Sequence, residues 1–137
     1  MRKENKKIDH FPLNIIYTLF LALGFQLITF LVPTEYVYVN KRLILGTFES
    51  GSIAIVLLSI AILISIYLLK STARLQSLVA ILLAGLVSNL FDRIFRGGVI
   101  DYISIGGFPM FNLPDIVIVI AIILLAISGV NKLKNAV

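Results

Sequence analysis

The chain has 137 residues, is 59% hydrophobic and carries 14% charged residues, against about a quarter in an ordinary soluble domain; its mean hydropathy is +1.03. It contains no cysteine and a single histidine, His10. That excludes disulfides, zinc–thiolate sites, cysteine nucleophiles, multi-histidine metal sites and His-based triads. The formal net charge of +5 reads as membrane topology rather than nucleic-acid binding, because the basic residues gather at the ends of apolar runs.

Apolar runs of about 18 residues or more mark membrane spans, and the length predicts one domain over residues 1–137 with approximate spans at 11–32, 52–69, 75–94 and 113–130. Residues 1–10 form a short basic tail, with His10 read as a headgroup-level residue. Span 1 is longer than the roughly 7–15 apolar residues of a cleavable signal peptide, and no small-x-small site follows it; it is read as a retained helix. Pro33 ends it. Tyr36–Val39 and Leu43–Phe48 predict two short strands about a turn at Asn40-Lys41-Arg42, a small outward-facing β element resting on the membrane surface. The short link Lys70–Arg74 predicts an antiparallel hairpin of spans 2 and 3. Ala84, Gly85 and Ser88 permit close helix contact, as ordinary packing. Gly97–Pro114 holds two Gly-Gly pairs and two prolines and reads as a bent, irregular segment. Pro114 fits the first turn of span 4, where its missing N–H costs nothing.

Eight basic residues (Arg2, Lys3, Lys6, Lys7, Lys70, Arg74, Lys132, Lys134) fall on one side of this layout and four (Lys41, Arg42, Arg93, Arg96) on the other. The positive-inside rule then puts both termini in the cytoplasm and residues 33–51 and 92–112 outside. The cytoplasmic lysines also attract anionic lipid headgroups. The fold class is an all-α membrane protein of four transmembrane helices, with a small β element between helices 1 and 2.

Six polar residues lie within 27 positions on the outward side: Asn89, Asp92, Arg93, Asp101, Asn112 and Asp115. Asp115 opens the apolar run Ile116–Val130, and an ionisable group at such a place costs a few kcal/mol or more at the bilayer centre, so it is usually functional. Asn89 and Arg93, four apart, share a helix face, with Asp92 beside them. Asp115 meets the positive end of the helix dipole, with Asn112 three residues before it. Two carboxylates brought together serve acid/base hydrolysis. Two other accounts stand beside that one. The six could mark a membrane boundary, as Arg96 is read to do, or they could form a proton or cation pathway, although the acids sit near span ends rather than along a transmembrane line.

The stretch Ser88-Asn89-Leu90-Phe91-Asp92-Arg93, followed by Gly98-Val99-Ile100-Asp101-Tyr102-Ile103, resembles the Gly-Asn-Leu-Ile-Asp-Arg … Val-Val-Asp-Phe-Ile signature of the lipoprotein signal peptidases, or signal peptidase II. Phe108-Pro109-x-Phe111-Asn112-Leu113-Pro114-Asp115 is similar to that family's Phe-Pro-x-Phe-Asn-Ile-Ala-Asp. Four spans with both termini inside also match. The resemblance implies a bacterial membrane aspartyl endopeptidase that removes the signal peptide of prolipoproteins, cutting before a diacylglyceryl-modified cysteine. It implies no metal and no cofactor, prolipoprotein and lipid as partners, no nucleic acid, a monomer, and a multi-pass place in the cytoplasmic (inner) membrane with the site near the outer leaflet. By motif position Asp101 and Asp115 are the implied catalytic dyad. Asn89 and Asn112 surround it, and Arg93 pairs with Asp92 or holds the loop carrying Asp101.

The first half departs from the family pattern. Of the family's Asp-Gln-x-x-Lys run only Gln26 persists in Phe25-Gln26-Leu27-Ile28-Thr29. The family's Asn-x-Gly-x-x-Phe motif is matched here to Glu49-Ser50-Gly51-Ser52-Ile53-Ala54, keeping only Gly51. Glu49 would hydrogen-bond substrate or add a third acid near the dyad. These departures mark a divergent member and motivate one further reading, a non-catalytic relative that binds lipidated precursors or another membrane partner.

Overall fold

The computed structural model describes residues 11–41, 51–71 and 75–134. Four helices carry most of it: α1 (Phe11–Leu31), α2 (Gly51–Ser71), α3 (Gln76–Arg96) and α4 (Leu113–Lys134). Two short strands, β1 (Tyr38–Asn40) and β2 (Val99–Asp101), form one antiparallel pair. A one-turn 3₁₀ segment, Thr34–Tyr36, leads from α1 into β1. The basic tail with His10, Arg42, the expected second strand Leu43–Phe48, Glu49 and Arg74 lie outside the described residues.

Three helices are long and apolar enough to cross a membrane, and α4 contributes a further apolar stretch, Leu113–Gly129. Long apolar runs without internal proline satisfy every backbone group within the helix, which is why they fold this way in a medium without water. Pro12 and Pro114 sit in first turns, where a missing N–H is harmless. Pro33 follows α1 and cannot continue it.

α3 is the central helix, with 56% of its span buried against 22% of α1 and 17% of the apolar run in α2. Against α1 it makes a polar ladder with a constant offset of 62 residues. Asn14 Nδ2 donates to Gln76 Oε1 (3.1 Å), Thr18 Oγ1 to the Ala80 carbonyl (3.2 Å) and Gln26 Nε2 to the Ser88 carbonyl (3.1 Å). The rungs fall at multiples of four, so α1 and α3 run parallel and in register, and buried Ala22 and Ala84 fill the position between the second and third rungs. Small and hydroxyl residues hold membrane helices together because lipid offers no hydrophobic drive for association. The expected α2–α3 contact is made through Leu69, Val79, Ala80 and Leu83. Against α4, Leu86 and Leu82 meet Ala121. There a Cβ on Gly85 would lie 2.7 Å from Ile118 Cγ1 and 3.1 Å from the Pro114 carbonyl oxygen. Only glycine allows α4 to start this close to α3.

The β element has a partner that its sequence reading did not include. β1 pairs across the fold with β2, Tyr38 opposite Asp101 and Asn40 opposite Val99; the expected hairpin partner, Leu43–Phe48, lies outside the described residues. Asn40 is thus the last residue of a strand rather than a turn residue. The Gly97–Pro114 segment is correspondingly less irregular than its glycines and prolines suggest. Gly97 stops α3 in the left-handed region (φ 73°), buried Val99 and Ile100 enter the sheet, and Ile103 bridges Phe111 to close the loop between them. A two-residue β-branched run is too short to be legible as a strand without its partner.

Candidate functional site

The start of α4 is organised by a reciprocal cap. Asn112 Oδ1 accepts from the Asp115 N–H (2.8 Å), and Asp115 Oδ2 accepts from the Asn112 N–H (3.4 Å). This is the capping-box arrangement, with aspartate in the reaching position. The Tyr102 hydroxyl takes up a further free donor, the Leu113 N–H, at 3.2 Å.

The same Asn112 reaches β2. Its Nδ2 donates to Asp101 Oδ1 (3.2 Å) and to Asn89 Oδ1 (3.2 Å), and Asn89 Nδ2 donates to Asp115 Oδ1 (2.7 Å). Asp101 and Asp115 are therefore joined through two neutral amides, one from α3 and one from the cap of α4. The second oxygen of Asp101 accepts from Asn40 Nδ2 at 2.8 Å. Arg93 completes the surroundings, its positive charge acting on both carboxylates.

Asp101, Asp115, Asn89, Arg93 and Asn40 line one cavity of about 610 Å³. Beyond this polar end its walls are apolar: Ala54, Leu57, Leu58 and Ala61 of α2, Ile118 and Val119 of α4, and Phe108–Phe111 of the connecting loop. Burial pushes the Asp101 carboxyl up to about 6; the amides of Asn40 and Asn112 and the Arg93 charge oppose the rise, and the neighbouring Asp115 charge adds to it. Amides orient a carboxylate without neutralising it, so this acid retains a proton more readily than an exposed one.

Asp92 lies elsewhere. One residue round the helix from the cavity face, it is 2% exposed and faces α1. Its Oδ1 accepts from Gln26 Nε2 (3.0 Å) and forms an ion pair with Arg96, while its Oδ2 accepts from the Ile100 N–H (3.1 Å). This adds to the sequence reading on two points. Asp92 forms its ion pair with Arg96, taken above as a mere boundary residue. The Asp92 carboxylate holds the Asp101 strand through the Ile100 N–H, as a third strand would. Gln26 belongs to this second cluster and not to the cavity. Phe25 and Thr29, which stand where the family has Asp and Lys, are buried: Phe25 packs with Ala22 and Ala84, and Thr29 Oγ1 bonds the Phe25 carbonyl at 3.0 Å. Gly51 is the first residue of α2. Among the described residues no group of three or more His, Cys, Asp or Glu side chains gathers as a metal cage.

The profile of the signal peptidase (SPase) II family matches residues 10–131. The chain belongs to the signal peptidase II family. Its curated relatives include the lipoprotein signal peptidase of Wigglesworthia glossinidia brevipalpis, 40% identical over 63% of this chain and 63% of that protein. The lipoprotein signal peptidase of Clostridium novyi (strain NT) is 33% identical over 64% of this chain and 66% of that protein. The chain thus matches a little under two thirds of the length of these relatives. A bacterial membrane enzyme solved by the in meso method at 2.3 Å resolution superposes with a TM-score of 0.75 at 19% identity, covering 90% of this chain and 91% of that one. The fold is therefore that of the solved enzyme.

Asn40 is the residue that sequence reasoning missed. A signal for it existed: the family's Asn-x-Gly-x-x-Phe spacing can also be laid from Asn40 to Leu45, keeping the asparagine and losing the glycine.

Proposed function

We propose that this chain is a membrane aspartyl endopeptidase that removes the signal peptide from diacylglyceryl-modified prolipoproteins, cutting before the lipidated cysteine. Asp101 and Asp115 form the catalytic dyad. The observation that carries the reading is the pair of carboxylates joined through Asn89 and Asn112 at the polar end of an otherwise apolar cavity, in a chain of the signal peptidase II family. Two close carboxylates share one proton. The ionised member takes a proton from a water molecule, whose oxygen attacks the scissile carbonyl carbon. The protonated member gives its proton to the carbonyl oxygen. Collapse of the tetrahedral intermediate breaks the C–N bond as a proton passes to the leaving amine. Asn89, Asn112 and Asn40 hold the carboxylates, and Arg93 limits the charge that builds up beside them. The apolar walls of α2 and α4 suit a lipidated, signal-helix substrate, which arrives with its acyl chains in the membrane.

In the same proposal all four helices cross the bacterial cytoplasmic membrane, with residues 1–137 acting as a single domain and as a monomer. The distribution of basic residues supports cytoplasmic termini and a site near the outer leaflet. A purified-protein assay on a diacylglyceryl-modified precursor peptide tests the reading. Asp101→Asn and Asp115→Asn should each lower cleavage by about 10³-fold or more while the protein elutes and melts as folded. Wild-type turnover in either variant removes the dyad. Absence of any product from the wild type, where a control enzyme works, would favour the non-catalytic binder instead.

A further inference from the structure

The second polar cluster does not reach the cavity, yet it meets the dyad through the backbone. Asp92 accepts the N–H of Ile100, the residue immediately before Asp101. Asp92 is itself almost wholly enclosed, and a buried carboxylate persists only when paired and hydrogen-bonded. The charge that balances it comes from Arg96, in the last turn of α3. Arg96 is fixed from two other sides: its Nη1 donates to Gln26 Oε1 (2.8 Å), and its guanidinium lies 5.8 Å from the centre of the Phe91 ring. Gln26 closes the circuit by donating to Asp92 Oδ1 and Ser88 Oγ, both at 3.0 Å. α1, α3 and β2 are thereby tied at one point, three residues before the sheet edge that presents Asp101.

We propose that Arg96 is a positioning residue for the dyad: it holds the Asp92 carboxylate in place, and through the Ile100 N–H that carboxylate fixes the strand carrying Asp101. The facing helix α1 offers no cation for this purpose, since Phe11–Leu31 contains neither lysine nor arginine. The cation is supplied from α3. This rests on the proposed dyad only for its consequence on turnover; the hold on β2 is independent of it.

The test compares full-length wild type, Arg96→Gln and Arg96→Lys in detergent, with two readouts. The first is cleavage of the diacylglyceryl-modified precursor peptide. Arg96→Gln should lower kcat by about 10- to 100-fold, since a displacement of about 1 Å costs rates on that order, with KM within about twofold, because Arg96 does not line the cavity. Arg96→Lys should recover most of the loss by restoring the charge. The second readout is hydrogen exchange of the Val99–Asp101 amides, which should quicken at least about tenfold in Arg96→Gln and return towards wild type in Arg96→Lys. Unchanged exchange in Arg96→Gln overturns the proposal, as does a lysine variant no better than the glutamine one. A wild type that cleaves nothing defeats the peptidase reading, and the exchange measurement then decides the hold on β2 by itself.

Discussion

Asp92 and Asp101 are both buried aspartates nine residues apart in the chain, and they are built to opposite ends. Asp92 has a cation, an amide and a backbone N–H on it and faces a closed helix seam. Asp101 has two amides on it, a second carboxylate nearby and a cavity in front. A carboxylate with all its charge balanced locally is a fastener. A carboxylate held by neutral donors beside another acid, with room for water and substrate, is equipped for proton transfer. Residue type and burial alone do not separate the two; the charge of the partners and the neighbouring space do.

The contrast is broken most severely by exchanging carboxyl for amide on each side. At Asp101 or Asp115 the exchange should remove turnover with little effect on folding, as given above. Asp92→Asn should act the other way round. It strands the Arg96 charge and loosens β2, so the melting temperature should drop by several degrees, as expected for about 1–3 kcal/mol lost from a buried network. Some cleavage should survive. If Asp92→Asn melts as wild type and yet is as inactive as Asp101→Asn, Asp92 belongs to the chemistry and the division fails.

Asn112 joins both functions and can be used to separate them. Asn112→Ala should cost about 1 kcal/mol through loss of the helix cap and, by loosening both carboxylates, about 10²-fold in kcat. Asn112→Ser retains a capping hydroxyl but is too short to reach Asp101 and Asn89. The serine variant should therefore recover the melting temperature without recovering kcat. Recovery of both would mean that Asn112 acts only as a cap.

Gly85 sharpens the comparison from the packing side. A methyl at this position would meet Ile118 and the Pro114 carbonyl, one residue away from Asp115. Gly85→Ala should push the start of α4 outward, costing about 1–3 kcal/mol in stability as an overpacked contact and about tenfold in kcat by widening the dyad. Gly24, whose surroundings are open, is the control: alanine there should leave both quantities near wild type.

The helices were legible because long apolar runs have few other solutions, and the polar cluster around Asp101 and Asp115 because its motifs are local: Asn112 and Asp115 lie within one turn, and Asn89 lies one turn before Arg93. What stayed hidden depended on contacts between distant segments. Asn40 looked like a turn residue until β1 was seen to pair with β2, 61 residues from Asn40 to Asp101. Arg96 looked like a boundary charge because its meaning comes from Gln26 on another helix and from a carboxylate one turn back. Asp92 and Arg93 are neighbours in sequence, yet successive positions on a helix point about 100° apart, which sends one to the α1 seam and the other to the cavity.

A dependence of stability on pH probes the Asp101 side of the contrast. An unfolded aspartate titrates near about 3.9, whereas burial raises folded Asp101 to about 6. Between these values the folded protein binds a proton that the unfolded chain does not, so stability must rise as pH falls through this window. Above it both states are ionised and the folded one bears the full cost of the buried charge. Asp101→Asn removes the titration. The melting temperature of the variant minus that of the wild type should thus be largest near pH 7.5, shrink from pH 6 downward and level off near pH 4. Groups away from the dyad titrate equally in both proteins, so the difference reports this carboxyl together with its coupling to Asp115. A difference that stays flat across the range would mean that Asp101 sits in water like any surface acid, and its proposed place in a proton-sharing pair would fall with it.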